Sequence, residues 1–510
     1  MLGFFLPFFV RAAVVFSEFS QKIDHYNESD SRTFQQRIFF DTQFTNGPPF
    51  GSFVLILGDF SRYNTEILKF EPILSIAKDT KSVIFGIENR YFGDSKPFLK
   101  ANAQEFEYLS IDQILSDIVA IISDHQERYC NGKCRILATG NGYAGSLATW
   151  LRVKYPHIVD VLWSSGAPLY ASQDYSLLDQ YAAEYLYEIN SKCMYNIRSL
   201  FQSLQTDLFS KDNHTIQSVY QLFGFSSKTS LKSAMFMPTD LLTRLIVSSS
   251  NNYLQELCKY QTPTPDRIAY ARFFNSTLSK LGLTVTQIDP QECKNDDIRA
   301  LYYLKCKTLG WMDVSAGLGP PLRLKPFSID MQYFWDTCNK LFGEAGRSYS
   351  TFNYNYGGRN PQVTTSIFTT SSKDPWKYLG FQKSNINSQN EVLSIDIGNN
   401  QIGLEMKNYS TNDNQDLNTA RSQIIATLSS WLSNNCSKLC MNGKCILNSC
   451  VCNAGYSGTF CSHPVASSKE FKTLSGALIL VPTAFMLVIG LISWRFVFIK
   501  GLGFSTRPMI

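Results

Sequence analysis

The chain has 510 residues, 44% of them hydrophobic, 14% aromatic and only 17% charged, which is the make-up of an ordered globular protein with room for two or three structural units. Forty-seven Lys and Arg stand against 42 Asp and Glu, a net +5 with no basic run, so nucleic-acid binding has no electrostatic support.

The first element, "MLGFFLPFFVRAAVVFS" (1–17), is apolar and short, with Val15 and Ser17 at the small-residue positions of a signal-peptidase site. It reads as a signal peptide. Next, "FVLILGDF" (53–60) and "KSVIFGIENRYFGDS" (81–95) begin as apolar β-rich runs and end in turn residues, the pattern of buried parallel strands entering loops. "SIDQILSDIVAIISDHQERY" (110–129) sets Ile111, Ile114, Leu115, Ile118, Ile121 and Ile122 on one helical face. The stretch "CRILATGNGYAGSLATWLRVKYPHIVDVLWSSGAPL" then reads strand, tight turn, helix, strand. Such alternation predicts a doubly wound α/β sheet over 18–169. From 170 to 345 the pattern becomes helical with polar loops, an insertion capping the sheet. Strand signatures return over 346–434 in "TTSIFTTSSKDPW" and "EVLSIDIG", and the amphipathic "ARSQIIATLSSWL" closes the unit.

Thirteen cysteines suit an oxidising compartment, and six of them crowd into 436–461 as Cys-x3-Cys-x4-Cys-x4-Cys-x-Cys-x8-Cys with "GYSG" before the last. This segment, 435–462, resembles an epidermal growth factor-like module. The resemblance implies the pairs Cys436–Cys445, Cys440–Cys450 and Cys452–Cys461, and "LSNNC" lacks the acidic residues of calcium-binding versions. Of the other seven cysteines at least one is left over if all bonds are internal. Cys130 and Cys134 close a tight loop or pair elsewhere, and some of Cys193, Cys258, Cys293, Cys306 and Cys338 staple the insertion. Leu474 to Trp494 carries no charge and precedes Arg495, Lys500 and Arg507, which predicts a transmembrane helix over 474–494 with a cytosolic tail, 495–510. The result is a single-pass type I membrane protein of the cell surface or endolysosomal membrane. Sequons at Asn27, Asn213, Asn275, Asn408 and Asn435 all fall on the lumenal side.

"GNGYAG" (140–145) has the rhythm of a nucleophile elbow with Gly142 at its apex. In a hydrolase the apex side chain attacks, and the next backbone N–H, here that of Tyr143, helps to form an oxyanion hole. Gly142 has nothing to attack with, and Thr139 and Ser146 are poorly placed substitutes. "SSKDPW" sets Asp374 after a late strand, where the acid of an α/β-hydrolase belongs, and a histidine should follow it. Of the five histidines, only His463 lies beyond Asp374, and it is past the cysteine cluster. No general base of suitable pKa is available.

The stretches "QKIDHYN", "IENRYFGDSKPF", "FEYLSIDQILSDI", "TGNGYAGSLATWLRVKYPHIV", "YYLKCKTLGW" and "NYNYGGRNPQVTTSIFTTSSKDPW" are similar, in order, to those of the family of lysosomal Pro-X carboxypeptidase, dipeptidyl peptidase II and thymus-specific serine protease. The resemblance spans 20–434 and implies an α/β-hydrolase fold with a helical cap. It places the catalytic serine on Gly142, the aspartate on Asp374 and the histidine on Asn400, within "DIGNNQIGL". Two members of the triad are therefore replaced. A second oxyanion donor falls at Gly58, in "LGDFSRY", where Phe60 is bulky and Asp59 keeps the acidic character. Asn89 stands where the family usually has His. The expected protein is a non-catalytic binder of peptides or of extracellular or lumenal proteins, with a second copy of itself a further partner and no metal or other cofactor. The alternative is an active serine-type exopeptidase cleaving Pro-X peptides through a rearranged site.

Overall fold

The computed structural model describes residues 14–464 except 133, 249–250, 261–264, 317–321, 344–348, 383–390, 434–441, 447–448, 458–460 and 462. They form two units, 1–435 and 436–510.

The larger unit is built on an eight-stranded sheet: β1 (Val15–Lys22), β2 (Thr33–Asp41), β3 (Ser52–Leu57), β4 (Val83–Ile87), β5 (Arg135–Asn141), β6 (Val161–Ser165), β7 (Ser366–Thr370) and β8 (Val392–Asp396). Their order is β1-β2-β4-β3-β5-β6-β7-β8. The pairings β1 with β2 and β2 with β4 are antiparallel, and all others are parallel. The central strands are buried on both faces, so β3 and β4 are unbroken apolar runs. Helices cover both sides, as a doubly wound sheet requires. α1 (Glu71–Thr80) packs on the closing helix α4 (Gln415–Ser433), while α2 (Ile111–Tyr129) packs on α3 (Tyr143–Lys154). The six apolar residues read as one face of α2 are all buried.

Between β6 and β7 the chain leaves the sheet for the cap, whose helices run from Leu177 to Phe342. The disulfides Cys193–Cys258 and Cys306–Cys338 close within it, Cys130–Cys134 closes the turn between α2 and β5, and Cys293 is a buried free thiol. Two phenols fasten the cap to the sheet layer. Tyr175 donates to the Pro375 carbonyl at 2.6 Å and Tyr181 to that of Lys373 at 3.1 Å, both in the loop after β7.

The β1–β2 hairpin was not expected, and β1 opens inside the segment read as a signal peptide, with Val15 opposite Phe40. A buried ion network ties this hairpin down. Arg90 donates to both carboxylate oxygens of Asp117 on α2, at 2.7 and 2.6 Å, and to the carbonyls of Lys22, Ile23 and Tyr108. His25 meets the same carboxylate at 2.8 Å.

In the smaller unit Gly443–Ile446 pairs with Ser449–Cys452, Tyr456–Ser457 pairs with His463–Pro464, and Cys452 is bonded to Cys461. The other two cysteine pairs expected there, Asn435 and the apolar stretch 474–494 lie outside what is described. Among the described residues no helix is long and apolar enough to cross a membrane.

Asp117→Ala leaves a fully buried guanidinium without its counter-ion and should cost about 3–5 kcal/mol. Chemical denaturation checks this, and a loss below about 1 kcal/mol contradicts it.

Candidate active-site cleft

The turn from β5 into α3 follows from three small residues. A Cβ on Gly140 would stand 2.5 Å from the Ala144 carbonyl carbon, and one on Gly145 would stand 2.7 Å from the Gly140 oxygen, so only glycine lets helix and strand meet this closely. Between them Gly142 takes φ 58° and ψ −125°, a conformation that strains any residue with a side chain. Its N–H donates to the Ser165 carbonyl at 2.9 Å. A Cβ built on Gly142 meets nothing within 4 Å. The apex of the elbow is present, and the space its side chain would fill is open.

That space belongs to a cavity of about 720 Å³ between sheet and cap. The sheet side contributes the turn after β3, including Gly58, Asp59 and Phe60, together with Gly142 and Tyr143 at the elbow. The cap side contributes the 240–248 stretch, Lys305, Trp311 and Asp313. Asn89 pins the β3 turn by donating to the Gly58 and Asp59 carbonyls at 2.8 and 3.2 Å. Phe60 stacks on Tyr143 with ring centroids 3.7 Å apart. The two expected oxyanion donors, Gly58 and Tyr143, therefore share this cavity with Gly142.

Asp374 and Asn400 are not in its lining. Asp374 is 3% exposed and lines a separate water-sized space of about 30 Å³. Its Oδ1 accepts from the Trp376 N–H at 2.8 Å. Burial, with Glu405 nearby adding repulsion, pushes its carboxyl up to about 7. Asn400 turns toward the start of α4: its Nδ2 donates to the Ile397 carbonyl at 2.6 Å and to Asn414 Oδ1 at 3.0 Å, and the Asn414 amide returns a bond. The loop reaches the cavity through Gln401, Ile402 and Gly403 instead. Ile402 packs directly on Gly166, and Gln401 bonds to the Val247 carbonyl of the cap at 3.4 Å. Among the described residues, hydroxyls of Ser61, Thr243 and Ser248 reach the lining, but no imidazole does.

Several groups here escaped the sequence reading. Asn141 Nδ2 donates to Ser165 Oγ at 3.0 Å, and Ser165 Oγ donates in turn to the fully buried Glu405, whose carboxyl burial pushes up. Glu405 Oε2 has no hydrogen-bond partner among the described residues. A lone acid inside the apolar run "IGLEM" was the one available signal. No three His, Cys, Asp or Glu of the described residues are grouped as metal ligands. The sequon residues Asn27, Asn213, Asn275 and Asn408 are all exposed.

The fold and the elbow define an α/β-hydrolase-type protein. Over residues 21–424 the chain matches the serine carboxypeptidase S28 family, and it belongs to that family. It is 24% identical to the lysosomal Pro-X carboxypeptidase of Bos taurus, over 81% of this chain and 87% of the other. It is 23% identical to the thymus-specific serine protease of Mus musculus, over 81% and 86%. The proline iminopeptidase of Mycobacterium smegmatis overlays with a TM-score of 0.37 at 10% identity, over 82% and 98%.

Asp374 binds its proton more tightly folded than unfolded. Its stabilising contribution is therefore complete below the unfolded value near ~3.9 and is lost as pH rises through about 7. Asp374→Asn removes this dependence. From pH 5 to pH 8 the variant should gain on the order of 2 kcal/mol relative to the parent protein, and parallel melting curves across that range contradict the assignment.

Proposed function

We propose that this chain is a non-catalytic member of its family that holds peptides or protein segments in the cavity facing Gly142. One observation carries the reading: the elbow keeps its backbone geometry and its open space, but its apex bears no nucleophile and, among the described residues, no imidazole lines the cavity. Removing the nucleophile and base of a serine triad leaves only the remainder supplied by binding and oxyanion stabilisation. The α/β core does not need the triad to fold, because Gly140, Ala144 and Gly145 set the turn without it. An apolar, partly aromatic cavity of this size with a few polar groups suits peptide-sized ligands.

The same reading anchors the protein by the span 474–494, which the cysteine-rich module 435–462 precedes in the chain, and puts sugars at the five sequons. The uncharged run and the basic residues after it support the anchor, and the Cys452–Cys461 bond supports the module.

A serine-directed fluorophosphonate should leave the purified protein unlabelled, and stoichiometric labelling abolished by Asp374→Ala would show a working hydrolase instead. Gly142→Ser alone should also stay silent, since no base faces the new hydroxyl. Adding Asn400→His should not help, because that side chain points to Asn414. Adding Ile402→His, which faces the cavity, should give slow labelling. Labelling with the Asn400 pair and none with the Ile402 pair would overturn this account of the loop.

A further inference from the structure

We propose that Asn141 reads a backbone N–H of the bound peptide: its side-chain oxygen is a fixed acceptor beside the empty apex of the elbow, so the ligand must bring a secondary amide there, and proline or an ester is refused. This rests on the peptide-binding reading above and specifies its ligand.

Asn141 is the last residue of β5 and the only exposed one in that strand. It lines the cavity immediately before Gly142. The two ends of an asparagine amide have nearly the same shape, so its surroundings decide which end faces which way. Here the buried side decides. Glu405 is fully buried, and its Oε1 accepts the hydroxyl proton of Ser165, itself fully buried. A serine has a single proton to give, so toward Asn141 the Ser165 oxygen can only accept. Asn141 therefore turns Nδ2 inward, 3.0 Å from Ser165 Oγ. Its Oδ1 is the end left for the cavity, and no described residue donates to it. Gly403 makes room for this arrangement, since a Cβ there would stand 2.5 Å from Asn141 Nδ2. Bonded behind and crowded at the side, the amide cannot turn over without giving up its bond to Ser165. The acceptor is thus set before any ligand arrives, and little freedom is lost when a donor meets it.

The chemistry of the ligand follows. Of the two polar groups of a peptide unit, only the N–H donates, and a carbonyl turned this way would set lone pair against lone pair. Proline and ester linkages lack that proton, and would displace water from Oδ1 while returning no hydrogen bond. The neighbouring apex leaves room for a main chain to come close, because a Cβ built on Gly142 meets nothing within 4 Å. Where the elbow of a hydrolase presents a group that attacks, this one presents, one residue earlier, a group that accepts.

Isothermal titration of the full chain with acetyl-Ala-Phe-Ala-amide, and with the three analogues in which one residue's N–H is replaced by an ester oxygen, tests this. The phenyl ring holds the register in the apolar cavity. One analogue should bind about fivefold or more weakly than the all-amide peptide, as expected for an acceptor stripped of its donor. Asn141→Leu and Asn141→Ala should each erase that difference, with melting temperatures showing that the variants fold. Ser165→Ala, which frees the amide to present Nδ2 instead, should shrink it. Binding in which no ester matters, or a difference that survives both Asn141 variants, overturns the role of Asn141 and leaves peptide binding standing. A difference untouched by Ser165→Ala overturns the Ser165–Glu405 pair as what fixes the amide. Failure of every peptide to bind overturns both readings.

Discussion

The close approach of β5 and α3 is the constraint on which the cleft depends. Because Gly140 and Gly145 allow strand and helix to touch, the residue between them is forced to positive φ and pushed to the carboxyl edge of the sheet, beneath the cap. In an active hydrolase that strain presents a nucleophile. Here the same strain presents a glycine, which bears it at no steric cost. Backbone geometry and catalytic chemistry are thus separable. The first is fixed by packing among small residues, and the second needed side chains this chain does not place there.

The acid loop shows the same separation. Asp374 stays buried and is held by its own loop, and that loop is gripped from above by Tyr175 and Tyr181 of the cap. Its carboxyl is buried with Glu405 and Lys377 acting on it in opposite senses, and burial dominates its titration. A catalytic aspartate is kept ionised by the histidine it orients, whereas burial lets this one hold its proton up to about pH 7.

Much of the fold was legible in the sequence, because interior strands and amphipathic helices write their burial into residue order. The run "FVLIL" and the α2 stripe are examples. The β1–β2 hairpin was not legible. β1 lies at the sheet edge, five of its eight residues face water, and Ser17, Glu18 and Gln21 interrupt any apolar signature. At the site, Gly142 could be read from local spacing because the elbow is a local structure. The direction of Asn400 could not, since it depends on its bonds to Asn414, across a loop whose path only the folded chain defines. Asp59 and Lys305 are 246 positions apart in the numbering and share a cavity only because the cap folds back over the sheet.

The disulfides carry one further implication. Every bridge described in the larger unit closes within a single layer: Cys130–Cys134 beside the sheet, Cys193–Cys258 and Cys306–Cys338 inside the cap. Oxidation therefore stiffens each jaw separately and locks neither to the other. The gap between them is held by phenol–carbonyl bonds and side-chain packing, and by no disulfide among the described residues.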